Sequence, residues 1–300
     1  MAELNTAHFD DLCRQGPVQS QIQSIETNRK SALGRFWLYL LAGFGAGVLL
    51  WVLVGSTFGS ILFVLALIGG GIAGWIPLAK AGESIKHPVL HSLAGQARMT
   101  FMPSGFDPPV FQESRRSLFG SWLSSATFSD LFYGTDQDGL NYAFYEATLM
   151  RGHGKHRHQV FGGQIYAFQR RRRQQGAVVA VPDRGIFNFF KPAGGFERVK
   201  FEEDPAFEKK FEVYASHPHE ATMLFGNPAL RHSLLQLRET SGRVLIYVGP
   251  EDALVAVWGK NKFEPGSMFT SRGGEERVRL MFDDVCASLR VMNGLRGLFI

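Results

Sequence analysis

At 300 residues the chain exceeds one average domain, and its 13% aromatic share, carried mainly by Phe, excludes a disordered polypeptide. The net charge of +5 suits an anionic partner such as lipid headgroups without demanding nucleic acid. Cys13 and Cys286 stand far apart, which argues against a disulfide scaffold and lets the chain work in a reducing compartment.

Residues 1–34 read as a cytoplasmic helical lead-in. They are polar with scattered apolar positions (Phe9, Leu12, Val18, Ile22 and Ile25), and Gly16-Pro17 divides them into two short helices that pack on the main domain or on a partner helix. From Phe36 to Ala79 no residue is charged. At ~1.5 Å per residue this run is about twice as long as a ~30 Å hydrocarbon core requires. Its polar interruption, "GSTFGS", is rich in turn formers, so residues 35–80 are expected to form a transmembrane helical hairpin with spans at 36–54 and 60–79. Gly43 and Gly47, then Gly70 and Gly74, have the small-x-x-x-small spacing that lets helix backbones approach closely.

A signal peptide would start nearer the N-terminus, and a buried soluble helix pair would carry polar residues on an outer face; this run does neither. Arg29, Lys30 and Arg35 precede the run and Lys80 and Lys86 follow it, while the turn has no cation. The positive-inside rule then puts both ends in the cytoplasm, with Trp37, Tyr39 and Trp51 as interfacial anchors. The expected setting is a bacterial inner membrane, multi-pass, with residues 84–300 as a cytosolic domain.

Within that domain "KAGESIKHPVLHSLAGQARM" predicts a helix with Pro88 in its first turn or as a break, and "MPSGFDPPVFQESRRSLFG" a loop. Strands are predicted at 127–133, 140–150, 159–169, 176–182, 198–201 and 211–215. Residues 220–239 predict a helix interrupted at Gly226-Asn227-Pro228, where Asn227 caps a new start. "RVLIYVGPEDALVAVWG" predicts a strand hairpin, and 275–292 a closing amphipathic helix with Val278, Met281, Phe282, Val285, Leu289 and Met292 on one face. The fold class is α+β: a two-helix transmembrane hairpin, then a mainly antiparallel sheet with flanking helices.

The segment from Val199 to Leu237 carries Asp204-Pro205, Phe207-Glu208, Phe211, Val213-Tyr214, Glu220-Ala221 and Pro228 at set distances. In these elements, with "ESRRSLF", "VFGGQIYAF" and the N-terminal hairpin, the chain resembles the bacterial domain of unknown function 3137 (DUF3137) family from about residue 30 onward. Phe225-Gly226-Asn227 departs from that family's Leu-Thr-Pro-like pattern. The resemblance implies an architecture and supplies no activity.

Residues that bear chemistry are sparse. His156 and His158 share a face if on a strand, and with His217 and His219 they are candidate metal ligands; Lys155 and Arg157 among them oppose a dication, and glycines 152 and 154 mark a hairpin turn. Arg170, Arg171, Arg172 and Arg173 form the densest charge run, a candidate headgroup contact for a domain tethered to a bilayer, or simply a solvated strand end. Glu202-Glu203-Asp204 reads as a solvated acidic run, Ser114 and Ser117 as solvated loop hydroxyls, and Cys286 as a buried inert thiol. There is no G-x-S-x-G elbow, P-loop or H-E-x-x-H. No catalytic residue and no cofactor is expected.

The function expected is that of a membrane-anchored binding or scaffold protein that contacts a protein partner or the membrane surface. Its partners are the lipid bilayer, a protein, or further copies through the hairpin, with no nucleic acid. The alternative is a membrane-tethered hydrolase or transferase whose site is built from distant loops.

Overall fold

The computed structural model describes residues 4, 6–14, 16–120, 123–183 and 195–299. The chain divides into two units: a helical one of residues 4–96 and 263–286, and a sheet unit of residues 97–262 and 287–299.

In the helical unit, α1 (Thr6–Arg14) precedes two long helices, α2 (Gly16–Val54) and α3 (Ser56–Gln96), which Gly55 alone separates. Gly55 takes φ +59°, a conformation that glycine adopts without steric cost, and this makes a tighter reversal than the six-residue turn expected. Both helices also run far past the apolar run. The polar lead-in continues straight into α2, and residues 80–96 extend α3 through Pro77 and Pro88 without a break. Pro88 is tolerated because its neighbours Ile85, Val89, Leu90 and Leu93 are wholly buried, so packing outweighs the ~3 kcal/mol a proline costs a helix interior. Phe9 of α1 meets Phe282 edge-on at 5.3 Å, and the Arg279 guanidinium lies 3.7 Å from the Phe9 ring centre. The lead-in therefore packs on the first half of α8 (Gly274–Phe299).

The sheet unit holds nine strands in the order β1-β2-β3-β4-β9-β8-β5-β7-β6, every neighbouring pair antiparallel. Strands β1 (Thr100–Met102), β2 (Leu123–Thr135), β3 (Asn141–Arg151) and β4 (His158–Gln169) form a meander. Strands β5 (Val178–Pro182), β6 (Glu197–Val199) and β7 (Phe211–Ala215) make the far side. The hairpin of β8 (Val244–Val248) and β9 (Asp252–Trp258) is inserted between the two halves. The two edge strands are only three residues long, which limits the unpaired backbone offered to other chains.

The sheet is buried on both faces, which is why its central strands read as nearly continuous apolar runs. One face packs on α4 (Pro109–Phe119) through Phe111 and Leu118 against Tyr145, Phe161, Ile165, Leu245 and Tyr247. This helix corrects the loop expected there. Pro109 at its first position and Phe111, Ser114 and Leu118 on its inner side are helix signals that the surrounding "PSG" and "DPP" turn signals masked. Ser114 is fully buried and donates to the Phe111 carbonyl, so it is no solvated hydroxyl.

The motif that carried the family resemblance is a structural knot. Asp204 caps the short helix α5 (Pro205–Glu208) by accepting from the Phe207 amide. Phe207 stacks on Phe211 at 5.2 Å, and Phe201 and Phe225 close around it at 5.9 and 5.8 Å. Helix α6 (Pro218–Phe225) and helix α7 (Pro228–Ser241) follow, and Asn227 caps α7 by accepting from the Ala229 amide at 3.0 Å. Arg231 of α7, buried, donates to Asp204 at 2.8 Å and to the Phe225 carbonyl at 2.7 Å. Burial pushes the Asp204 carboxyl up, but the hydrogen bonds from Arg231 and the Phe207 amide outweigh it and hold its pKa below the ordinary value. A lowered folded-state pKa adds stability above the unfolded pKa and withdraws it as pH falls through the folded one. Asp204→Asn keeps the cap and drops the charge, so at pH 7 it is expected to cost on the order of 1 kcal/mol. Thermal melts from pH 7 down to pH 2 check this: the gap between native and variant closes in acid.

Candidate functional site

Two surfaces stand out, one in each unit. On the helical unit the apolar run is also an exposed run. Trp37, Leu38, Leu41, Trp51, Val52 and Leu53 of α2 and Phe58, Ile61, Leu65, Ile72, Trp75 and Ile76 of α3 are all 51% exposed or more. In contrast to a core helix, which hides such residues, this pair displays them. The inner seam is made of glycine. A Cβ at Gly43 would lie 2.6 Å from the Ala66 carbonyl oxygen, and one at Gly70 the same distance from that of Tyr39. Gly47 and Gly74 abut Phe63 and Phe36 in the same way. The close backbone approach expected of these glycines is thus made within the hairpin.

At the foot of the hairpin, Phe269 meets Phe36 edge-on at 5.3 Å and stacks with Trp75 at 6.5 Å, while remaining 47% exposed. Its loop, 263–273, is held from beneath by Arg277. This fully buried side chain donates to the carbonyls of Pro265 at 2.8 Å, Ser267 at 3.2 Å and Thr270 at 2.7 Å. Among the cations flanking the apolar run, Arg29 is buried on Glu26 and the Met268 carbonyl, and Lys86 is buried 2.7 Å from Glu264. Lys30, Arg35 and Lys80 are exposed.

On the sheet unit, a cavity of about 460 Å³ opens where the loop before α4 passes over β2, β3 and β4. The loop is anchored at one point by the Asp130 amide, which donates to the Pro103 carbonyl at 2.9 Å across a bulge in β2. Gly105 at φ +80° turns it, and Pro108-Pro109 starts the helix. The cavity is lined mainly by apolar groups, with Asp107, Asn141, Gln169 and Asp252 on its rim. Tyr145 lies in its wall, and its hydroxyl is buried without a hydrogen-bond partner among the described residues. Burial, reinforced by the Asp107 carboxylate, pushes that phenol well above its ordinary pKa. Burial, then the neighbouring Glu113 and Glu251, likewise pushes the Asp252 carboxyl up. Glu113 accepts from the Tyr247 hydroxyl at 3.0 Å.

The residues singled out from sequence fall elsewhere. His156 and His158 lie at the exposed tip between β3 and β4, and residues 154–156 form one 3₁₀ turn. His217 and His219 are exposed at the start of α6, beyond the end of β7. Four strand spacings, about 19 Å, separate β4 from β7. The register also places His158 at the Trp258–Val244 end of the sheet and Ala215 at the Val248 end. The two pairs therefore cannot share one ion, whose ligand atoms must converge at about 2 Å.

The arginine run is a correction of a different kind. Arg170 is buried, donating to Gln174 at 2.8 Å and to the carbonyls of Phe299 and Gly249, so it holds the β8–β9 turn and the chain's end and faces no headgroup. Arg171, Arg172 and Arg173 are exposed; Arg171 pairs with Asp138, Arg172 meets the Met223 sulfur, and Arg173 pairs with Glu251 at 3.2 Å.

Comparison with known proteins bears mainly on the second half of the chain. Residues 159–296 match the model of the family described as "Protein of unknown function (DUF3137)", which supports the resemblance read from the Val199–Leu237 motif. No curated protein matches the chain. The crystal structure of the mycobacterial trehalose monomycolate transport factor A, TtfA, aligns at 11% identity over 68% of this chain and 93% of that one. Its TM-score is 0.33, a likeness too low to carry an argument.

Proposed function

We propose that this protein is an integral membrane binding or scaffold protein, anchored by α2 and α3 in a bacterial inner membrane, with both ends of the hairpin and the sheet unit in the cytoplasm. The observation that carries the reading is the exposed apolar surface of residues 37–76 on two helices that hold no charge between Phe36 and Ala79. In water that surface is an aggregation hazard, whereas in hydrocarbon it is the expected exterior. The exposed cations Lys30, Arg35 and Lys80 near the two cytoplasmic ends support the orientation, and the rings of Phe36, Trp75 and Phe269 suit an interfacial layer.

Binding is favoured over hydrolysis because the sheet unit's cavity is walled mainly by apolar groups, and among the described residues no base is hydrogen-bonded to its buried Tyr145 hydroxyl. Arg171, Arg172 and Arg173 remain the cations that would meet an anionic leaflet. A protein partner is the other contact we propose, on a surface still to be mapped.

Cysteine labelling in spheroplasts tests the topology. In a Cys13→Ala, Cys286→Ala background, Thr57→Cys at the hairpin turn is expected to react with an impermeant maleimide. Lys155→Cys, at the exposed β3–β4 tip, is expected to react only after permeabilisation. Release of the protein by alkaline carbonate, or the reverse labelling pattern, overturns the reading.

A further inference from the structure

The cavity beneath the loop before α4 has three properties that bear on what fits it. Its walls, among them Phe106, Val110, Leu131, Ala167 and Phe168, are mainly apolar, and its volume of about 460 Å³ is in the range of small-molecule sites. Within that wall is a donor left without an acceptor: Tyr145, 1% exposed, with a hydroxyl that has no partner among the described residues. Leaving a buried polar group unpaired costs about 1–3 kcal/mol, so such a group in the wall of a cavity calls for a bound acceptor. The third property is the sign of the rim. Asp107 and Asp252 line the cavity, Glu113 lies close to Asp252, and no Lys, Arg or His is among the described lining residues.

These properties select by charge. A carboxylate or phosphate entering this site meets like charge and finds no cation, a mismatch of the kind that rejects wrong partners. An uncharged molecule with a carbonyl or ether oxygen meets apolar walls and one donor. We propose that this cavity binds an uncharged, mainly apolar small molecule of the ester or amide class, whose oxygen accepts from the Tyr145 hydroxyl, and that it rejects the anionic counterpart. The chemistry comes from residues of the sheet unit alone, so the proposal goes beyond the anchor reading and does not depend on it.

The test uses the full chain in zwitterionic nanodiscs, with empty nanodiscs as the reference for partition into lipid. Methyl octanoate and octanoate share a chain and differ in charge, and saturation-transfer NMR reads the binding of each. Methyl octanoate is expected to bind above the empty-disc signal, with octanoate at least tenfold weaker. Tyr145→Phe keeps the ring and removes the donor, so it should weaken methyl octanoate about two- to tenfold, the range of one net hydrogen bond, without lowering thermal stability. Ala167→Leu, which fills the cavity, should abolish binding. Binding of octanoate as tight as that of its ester overturns the proposal. So does a Tyr145→Phe protein that binds as before, the result if the hydroxyl serves only a water, and so does a methyl octanoate signal no larger than that of empty discs. Failure of the chain to enter nanodiscs counts against the anchor reading instead, so the two are told apart.

Discussion

Gly70→Leu is expected to break the hairpin seam, while Gly71→Leu, one residue along, leaves it intact. A Cβ at position 70 would stand 2.6 Å from the Tyr39 carbonyl oxygen and 3.2 Å from the Gly43 Cα, and both are backbone atoms that cannot rotate aside. At Gly71, as at Gly45 and Gly69, nothing lies within 4 Å of the built Cβ. Both substitutions add the same apolar group, so only the packing differs. Overpacking a close contact costs about 1–3 kcal/mol, and a leucine that pries two backbones apart belongs at the top of that range. Thermal denaturation in mild detergent is the measurement. The expected result is a clear loss for Gly70→Leu and none for Gly71→Leu, and equal melts mean that the two helices do not meet along glycine. The pair Gly43→Ala and Gly70→Ala should be less than additive, because the first separation of the helices relieves the second clash.

The other large effect is expected at Arg277. Its terminal nitrogens serve carbonyls of Pro265, Gly266, Ser267 and Thr270, spread over one irregular loop; the Thr270 hydroxyl also donates to the Ser267 carbonyl, but among the described residues no other side chain hydrogen-bonds those of Pro265, Gly266 and Thr270. Arg277→Met keeps the apolar stem and strips every donor, leaving carbonyls beneath the loop unpaired. Bonds from a charged donor are worth about 1.5–3 kcal/mol each and part is recovered from water, so a loss on the order of 3 kcal/mol is expected. If the loop opens on its own, that corresponds to about hundredfold faster tryptic cleavage after Arg272, which sits half-buried within it. Arg277→Lys should recover only part, since one ammonium cannot reproduce a planar fork. Glu276→Gln, which breaks only the exposed pair with Arg272, should leave the loop's overall protection close to native.

The sequence was most legible where one physical requirement dominated. An uncharged run of that length admits few structures, and its glycine spacing placed the seam. The β-branched and aromatic runs located all but one of the nine strands, and Asn227-Pro228 declared its own helix start. The helices predicted on either side of the apolar run exist, but their continuity with it was illegible, because a Gly-Pro step and two prolines look like breaks on the page and only packing keeps α2 and α3 unbroken. Four consecutive arginines look alike on the page, yet Arg170 is interior and the next three are not; the distinction is made by the β8–β9 turn, which arrives about eighty residues later. Tyr145 offered no signal at all. It reads as an ordinary strand residue, and it becomes an orphan donor only because the loop at 103–108 is carried over it.

The insertion of β8 and β9 between β4 and β5 has a consequence for synthesis. Strands β1 to β4 can zip together in the order they are made, each against its predecessor. Strand β4, however, then waits with a bare edge, and β5 with another, until residues 244–258 have left the ribosome. Through that interval the nascent chain offers two long apolar edges while its hydrophobic hairpin has already been translated. The centre of the sheet is thus closed last, by a keystone, and a ribosome stalled before residue 244 would leave a product that no amount of time could complete.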